Sequence, residues 1–211
     1  MPGTMSQGDL VADLKAYLND AASKFTAASD ADFIRHLDVA ASDMGRVRKR
    51  TRIGTLTLVA GQMTYPAPTD IRQPKFPLWG QNELRERKPW LSNWPGKLPR
   101  LSLIDGDGGD ELALDPAPTA QQISDLGSEY KYYYFADHHV DTDAANTTIR
   151  QTDRELLLVR AAAQAMLELA HHNVTKPVQL GSRGVGAMPK NGIPAALAKD
   201  LMGQFEKMAS A

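Results

Sequence analysis

The sequence predicts an α+β fold, mainly α: a small helical bundle of two N-terminal and two C-terminal helices, with a β-rich insertion and long loops. Three observations carry this. Apolar residues recur at spacings of three and four over residues 8–47 and again from about residue 156. Between those stretches the pattern switches to short β-prone runs bounded by Gly, Pro and Asp. Thirteen prolines and sixteen glycines fall mostly outside the helical stretches. A length of 211 residues suits one domain, or one domain carrying an insertion, and lets roughly 70% of the unfolded surface be buried. The expected division is residues 1–52 and 147–211 for the bundle and its C-terminal segment, and residues 53–146 for the insertion with its Pro/Trp-rich arm.

Residues 8–27 read as an amphipathic helix, because Leu10, Leu14, Tyr17, Leu18, Ala21 and Phe25 share one stripe. Ser29 and Asp30 offer N-caps for a second helix, and Asp32 suits its positive first turn. Phe33, Leu37, Ala40, Ala41, Met44 and Val47 form its stripe, and the short connection favours an antiparallel hairpin. After Arg52, residues 55–59 are β-prone and Gly61 bounds them, before Met63-Thr64-Tyr65-Pro66, Pro68 and Asp70. Residues 73–99 contain five prolines that interrupt any helix. Trp79, Trp90 and Trp94 are expected to pin this segment down as a surface excursion or an arm.

Leu101, Leu103 and residues 111–114 flank the turn segment Asp105-Gly106-Asp107-Gly108-Gly109-Asp110, a hairpin pattern. Pro116 and Pro118 end the return strand. Residues 129–135 alternate, with Tyr130, Tyr132 and Tyr134 on one face and Lys131, Tyr133 and Phe135 on the other. Aromatics on both faces predict cover on both. Thr152 and Glu155 match the capping box of a third helix, which runs to about His172 and is apolar nearly all round. Such a helix is expected to be buried among several neighbours. A loop with Gly181, Gly184 and Gly186 follows, and Pro194 suits the first turn of a last helix with the stripe Leu197, Leu201, Phe205 and Met208.

Composition removes several function classes. Without cysteine there are no disulfides, thiolate metal sites or Cys nucleophiles. A formal net charge of −1 excludes a strongly basic nucleic-acid coat but permits a local basic patch. No apolar run approaches the ~18 residues that span a bilayer, and MPGTMSQGDL lacks a signal peptide's apolar stretch. The expectation is a soluble, intracellular, globular protein with no membrane partner.

The candidate sites divide quickly. An EF-hand loop starting at Asp105 would need its bidentate Glu at Pro116, and its flanks read as strands, so the acidic run is a hairpin turn. The pairs His138-His139 and His171-His172 each offer one metal ligand at best, because adjacent side chains diverge. The glycine loop lacks G-x-x-x-x-G-K-[ST] and a preceding strand. No G-x-S-x-G, H-E-x-x-H or paired carboxylate motif is present, so no enzyme, metal or cofactor is expected. The basic cluster Arg46, Arg48, Lys49, Arg50 and Arg52 has two readings. It can be cations favouring a helix C-terminus, or a patch that meets phosphates.

The order helix–helix–β insertion–helix–helix resembles the head–tail adaptor (connector) proteins of tailed bacteriophages. The resemblance rests on LKAYLNDA, DFIRHLDVAASDM, TLTLVAGQMTYPAPTDI, WPGKLPRLSLIDGDGGDELALDPAP, EYKYYYFA, DRELLLVRAAAQAMLELA and GIPAALAKDLMGQFEKM. It implies a structural virion protein, in the host cytoplasm during assembly and then at the neck. There it would form a ring, of twelve copies, that binds the portal protein and extends the DNA channel. A stopper or tail-completion protein would attach to that ring. It further implies Arg46, Arg48, Lys49, Arg50 and Arg52 as channel residues touching packaged double-stranded DNA without reading sequence. Arg183, Leu197, Leu201, Phe205 and Met208 become the portal-docking candidates. Competing readings are another neck protein (tail completion or head closure), a DNA-binding regulator using the basic helix end, and a hydrolase. The last lacks its nucleophile and metal constellations, and the regulator lacks helix–turn–helix spacing.

Overall fold

A computed structural model describes residues 3–91, 94–174 and 194–210, the side chains of residues 173 and 174 excepted. Its elements are α1 (Gln7–Leu18), α2 (Ala31–Val47), β1 (Arg50–Thr57), β2 (Thr64–Pro66), β3 (Ile71–Pro77) and α3 (Gln81–Glu86). They continue with β4 (Arg100–Gly106), β5 (Gly109–Asp115), α4 (Ala120–Leu126), β6 (Glu129–Ala136), α5 (Arg154–Val174) and α6 (Pro194–Ser210). The fold is α+β and mainly α. It divides into a helical unit, Met1–Arg48 with His138–Ala211, and a β unit, Lys49–Asp137.

In the helical unit α5 is the centre, contacting α1, α2 and α6. Residues 156–159 and 161–163 are buried, as an all-round apolar helix requires. Its polar tethers are correspondingly few. Buried Arg154 pairs with Asp13 of α1 at 2.6 Å, and buried Arg160 with Asp43 of α2 at 2.5 Å. At the far end Glu168 accepts from Arg35 at 2.7 Å and lies 2.8 Å from His36 Nε2. Burial alone would raise the Glu168 carboxyl, but these two partners outweigh it and hold it below its usual value.

The helix ends differ from expectation. The first helix stops at Leu18 because Asn19 turns to φ 51°, and a 3₁₀ stretch, Asn19–Lys24, follows. Ser29 and Asp30 also take positive φ and supply no capping bond. Asp32 instead accepts from the Ala27 amide at 3.3 Å. Helix α5 opens at Arg154, and Thr152 lies inside the preceding 3₁₀ turn Gln151–Asp153. The capping box belongs to α4, where Thr119 and Gln122 bond reciprocally.

The β unit holds two antiparallel sheets, ordered β1-β6-β3 and β2-β5-β4. Tyr130, Tyr132 and Tyr134 of β6 share a buried cluster with Leu112 and Leu114 of β5, so the sheets pack through these faces. Tyr132 fits because its β1 partner is Gly54, where a Cβ would run into the tyrosine ring. Burial pushes the Tyr132 hydroxyl up to about 12 and Tyr130 further in the same direction. On the other face of β6, Tyr133 and Phe135 are only half-buried among the described residues, short of the full cover expected. Within residues 73–99 lie most of β3 and the short α3. Trp79 is buried and donates from Nε1 to the Gly127 carbonyl at 2.9 Å. Trp94 is half-buried, but Trp90 is 78% exposed, against the expectation that it pins the segment down.

Candidate functional site

The basic cluster sits where α2 ends and β1 begins, and the boundary between the two units falls between Arg48 and Lys49. In the helical unit, Arg46 is exposed and has no hydrogen bond or ion pair among the described residues. Arg48 is engaged on every side. Its Nε lies 3.3 Å from Asp153 Oδ1, and Nη1 and Nη2 donate to the Ala209 and Met208 carbonyls at 2.8 and 3.3 Å. Its own carbonyl is 2.7 Å from His138 Nε2, and His138 Nδ1 meets Thr148 Oγ1 at 3.3 Å. Arg48 therefore satisfies the orphan carbonyls that end α6. His138 serves the same junction rather than a metal.

In the β unit, Arg50 and Arg52 converge on one acid. Arg52 Nη1 is 2.6 Å and Arg50 Nη1 3.5 Å from Asp70 Oδ2, and the Tyr134 hydroxyl donates to Asp70 Oδ1 at 2.9 Å. Burial works to raise the Asp70 carboxyl. The bonds from Arg52 and Tyr134 and the charges of both arginines prevail, holding it low. The bond to Asp70 in turn raises Arg52, while burial and then Asp70 raise Tyr134. Lys49 lies 5.0 Å from the centroid of Phe135, a cation–π distance. Five cations within seven residues thus divide among four surroundings, with Arg50 and Arg52 sharing Asp70. Asp70, Tyr134 and Asp153, which set three of them, carried no signal in the sequence beyond Asp70's place at a turn.

The α6 stripe is divided in a similar way. Leu201 and Phe205 are buried in the bundle's own core and Met208 packs partly against it, whereas Leu197 is 40% exposed. Arg183 and the glycine loop lie outside the described residues. Of the expected turn segment only Asp107 and Gly108 turn; Asp105 pairs with Asp110 and Gly106 with Gly109 as the ends of β4 and β5. Among the described residues no three His, Asp or Glu side chains are grouped as metal ligands, and no helix is long and apolar enough to cross a membrane.

Residues 5–183 match the family model described as SU10 adaptor protein. The match spans both units and stops short of α6. No curated protein matches the chain.

Proposed function

The chain belongs to the SU10 adaptor protein family, whose members are structural phage adaptors, and from that premise we propose that it is a head–tail adaptor at the neck of a tailed bacteriophage. In this reading copies of the chain form a ring, of twelve subunits, on the portal protein. The ring extends the DNA channel and offers the attachment platform for a stopper or tail-completion protein. The family match over residues 5–183 is the observation that carries it. A mainly helical bundle with a small β unit favours an adaptor over a mainly β stopper. Non-specific contact with passing DNA falls to exposed Arg46 and to the exposed part of Arg52, whose charge Asp70 partly offsets. Portal docking falls to the C-terminal segment, residues 181–211, with Leu197 as the apolar residue of the α6 stripe still open to a partner.

Binding of the purified full-length chain to the portal protein tests this. Capture of portal by the full chain, with weaker capture by Leu197→Asp, is expected. An absence of portal binding by the full chain would reject the adaptor reading.

A further inference from the structure

The outer face of the first sheet combines apolar surface with unpaired positive charge. Register sets Ile53, Tyr133 and Phe76 side by side across three strands, on the face turned away from the tyrosine core. Ile53 is 58% and Phe76 47% exposed. Beside this row, Phe135 gathers two ammonium groups, Lys49 and Lys75, each 5.0 Å from its ring centroid. Neither lysine has a carboxylate partner among the described residues. Two like charges held at one ring with no carboxylate partner among the described residues gain from an anionic neighbour.

The same unit carries the complement. In the β4–β5 hairpin Asp105 stands opposite Asp110, Ile104 stands opposite Glu111, and Asp107 lies in the turn. Like charges directly opposite one another destabilise a ladder. None of these four carboxylates meets a cation among the described residues, and Ile104 beside them is 37% exposed. One surface is an apolar row flanked by lysines, and the other is an apolar residue ringed by acids.

We propose that the β4–β5 hairpin tip of one copy docks on the outer sheet face of the next copy. Asp105, Asp107 and Asp110 would meet Lys49 and Lys75, and Ile104 would cover the Ile53–Tyr133–Phe76 row. Within one copy this contact is excluded, because the hairpin belongs to the sheet packed on the opposite face of β6. Unlike patches make a heterologous contact, so copies add head to tail and close into a ring where the rotation allows. The inference rests on the ring-forming adaptor reading and names the surfaces that build the ring. DNA is the weaker occupant. Phosphates would satisfy the two lysines but leave the apolar row in water and the acidic hairpin unmatched.

The absence of cysteine makes the test clean. A full-length chain carrying both Lys75→Cys and Asp107→Cys, oxidised at high concentration, should give a ladder of disulfide-linked multimers. Either single variant should stop at dimers. Adding Lys49→Glu, or replacing Asp105 and Asp110 by Lys, should cut the ladder about tenfold. Mixing a Lys49→Glu/Lys75→Glu chain with an Asp105→Lys/Asp110→Lys chain should restore association, since alternating copies again pair unlike charges. Circular dichroism confirms that each variant is folded. A ladder from a chain that is absent from phage particles would keep this interface and reject the adaptor reading. No ladder from a chain that does form a ring in particles would overturn the interface alone. Charge reversal at Lys49 and Lys75 that weakens binding to a short DNA duplex, while association is unchanged, would overturn it in favour of a nucleic-acid face.

Discussion

Arg48 Nη1 donates a 2.8 Å hydrogen bond to the main-chain carbonyl of Ala209, 161 residues further along the chain. A residue that the sequence groups with a basic patch thus closes the helical unit, joining the end of α2 to the end of α6. Carbonyls of a last helical turn have no partner within the helix, and a guanidinium supplies both hydrogen bonds and favourable charge.

Arg48→Ala should therefore destabilise the helical unit by about 1.5–3 kcal/mol, the range for hydrogen bonds to a charged group. Arg46→Ala, at an exposed position, should change stability by less than about 0.5 kcal/mol. Urea unfolding followed by circular dichroism separates them. Equal effects would contradict the capping role of Arg48.

The Asp70 cluster makes the β unit acid-sensitive. Its folded carboxyl titrates below its ordinary value, so its contribution is complete above the unfolded value of about 3.9 and is lost as pH falls through the folded one. Glu168 shifts the helical unit in the same sense. The stability difference between the wild type and Asp70→Asn should be largest near neutral pH and shrink below about pH 4. A difference that stays constant down to about pH 2 would contradict this.

Asp70 also restrains Arg52, proposed to meet DNA, together with its neighbour Arg50. Asp70→Asn should strengthen binding to a short duplex and steepen its salt dependence, because Arg50 and Arg52 lose their shared counter-charge. Arg46→Ser should weaken binding without sequence preference. Fluorescence anisotropy at several salt concentrations measures both. Unchanged affinity in both variants would place these residues away from DNA.

The tyrosine core contains one hydroxyl without a partner among the described residues, that of buried Tyr132. Tyr132→Phe should leave stability unchanged or raise it, since no hydrogen bond is lost. Gly54→Ala should destabilise by about 1–3 kcal/mol, because the added methyl meets the Tyr132 ring. Thermal unfolding of the two variants checks the pair.

The elements legible in the sequence are those whose burial pattern is continuous. The stripes of α2 and α6, the all-round apolar α5 and the Asp-Gly hairpin all announce themselves within a few residues. Where backbone conformation decides, the signal is weaker: Asn19, Ser29 and Asp30 take positive φ, and an Asn or Asp can equally cap or continue a helix. Helix α4 was hidden because two prolines just upstream suggest only a strand end, although Thr119 and Gln122 spell its capping box. The aromatics on the outer side of β6 suggested a covering layer, and two lysines stand there instead. Least legible are the surroundings of the basic cluster. Adjacency in sequence says nothing of Asp70, Asp153 or the Ala209 carbonyl, which arrive from elsewhere in the chain and set Arg48 apart from Arg50 and Arg52.

Cryo-electron microscopy of purified particles of the phage or prophage that carries this chain tests the central claim most directly. A closed ring of this chain between portal and tail, enclosing the DNA channel, is the predicted result. Particles complete in head and tail, with the chain absent from the neck and undetected by mass spectrometry, would contradict it.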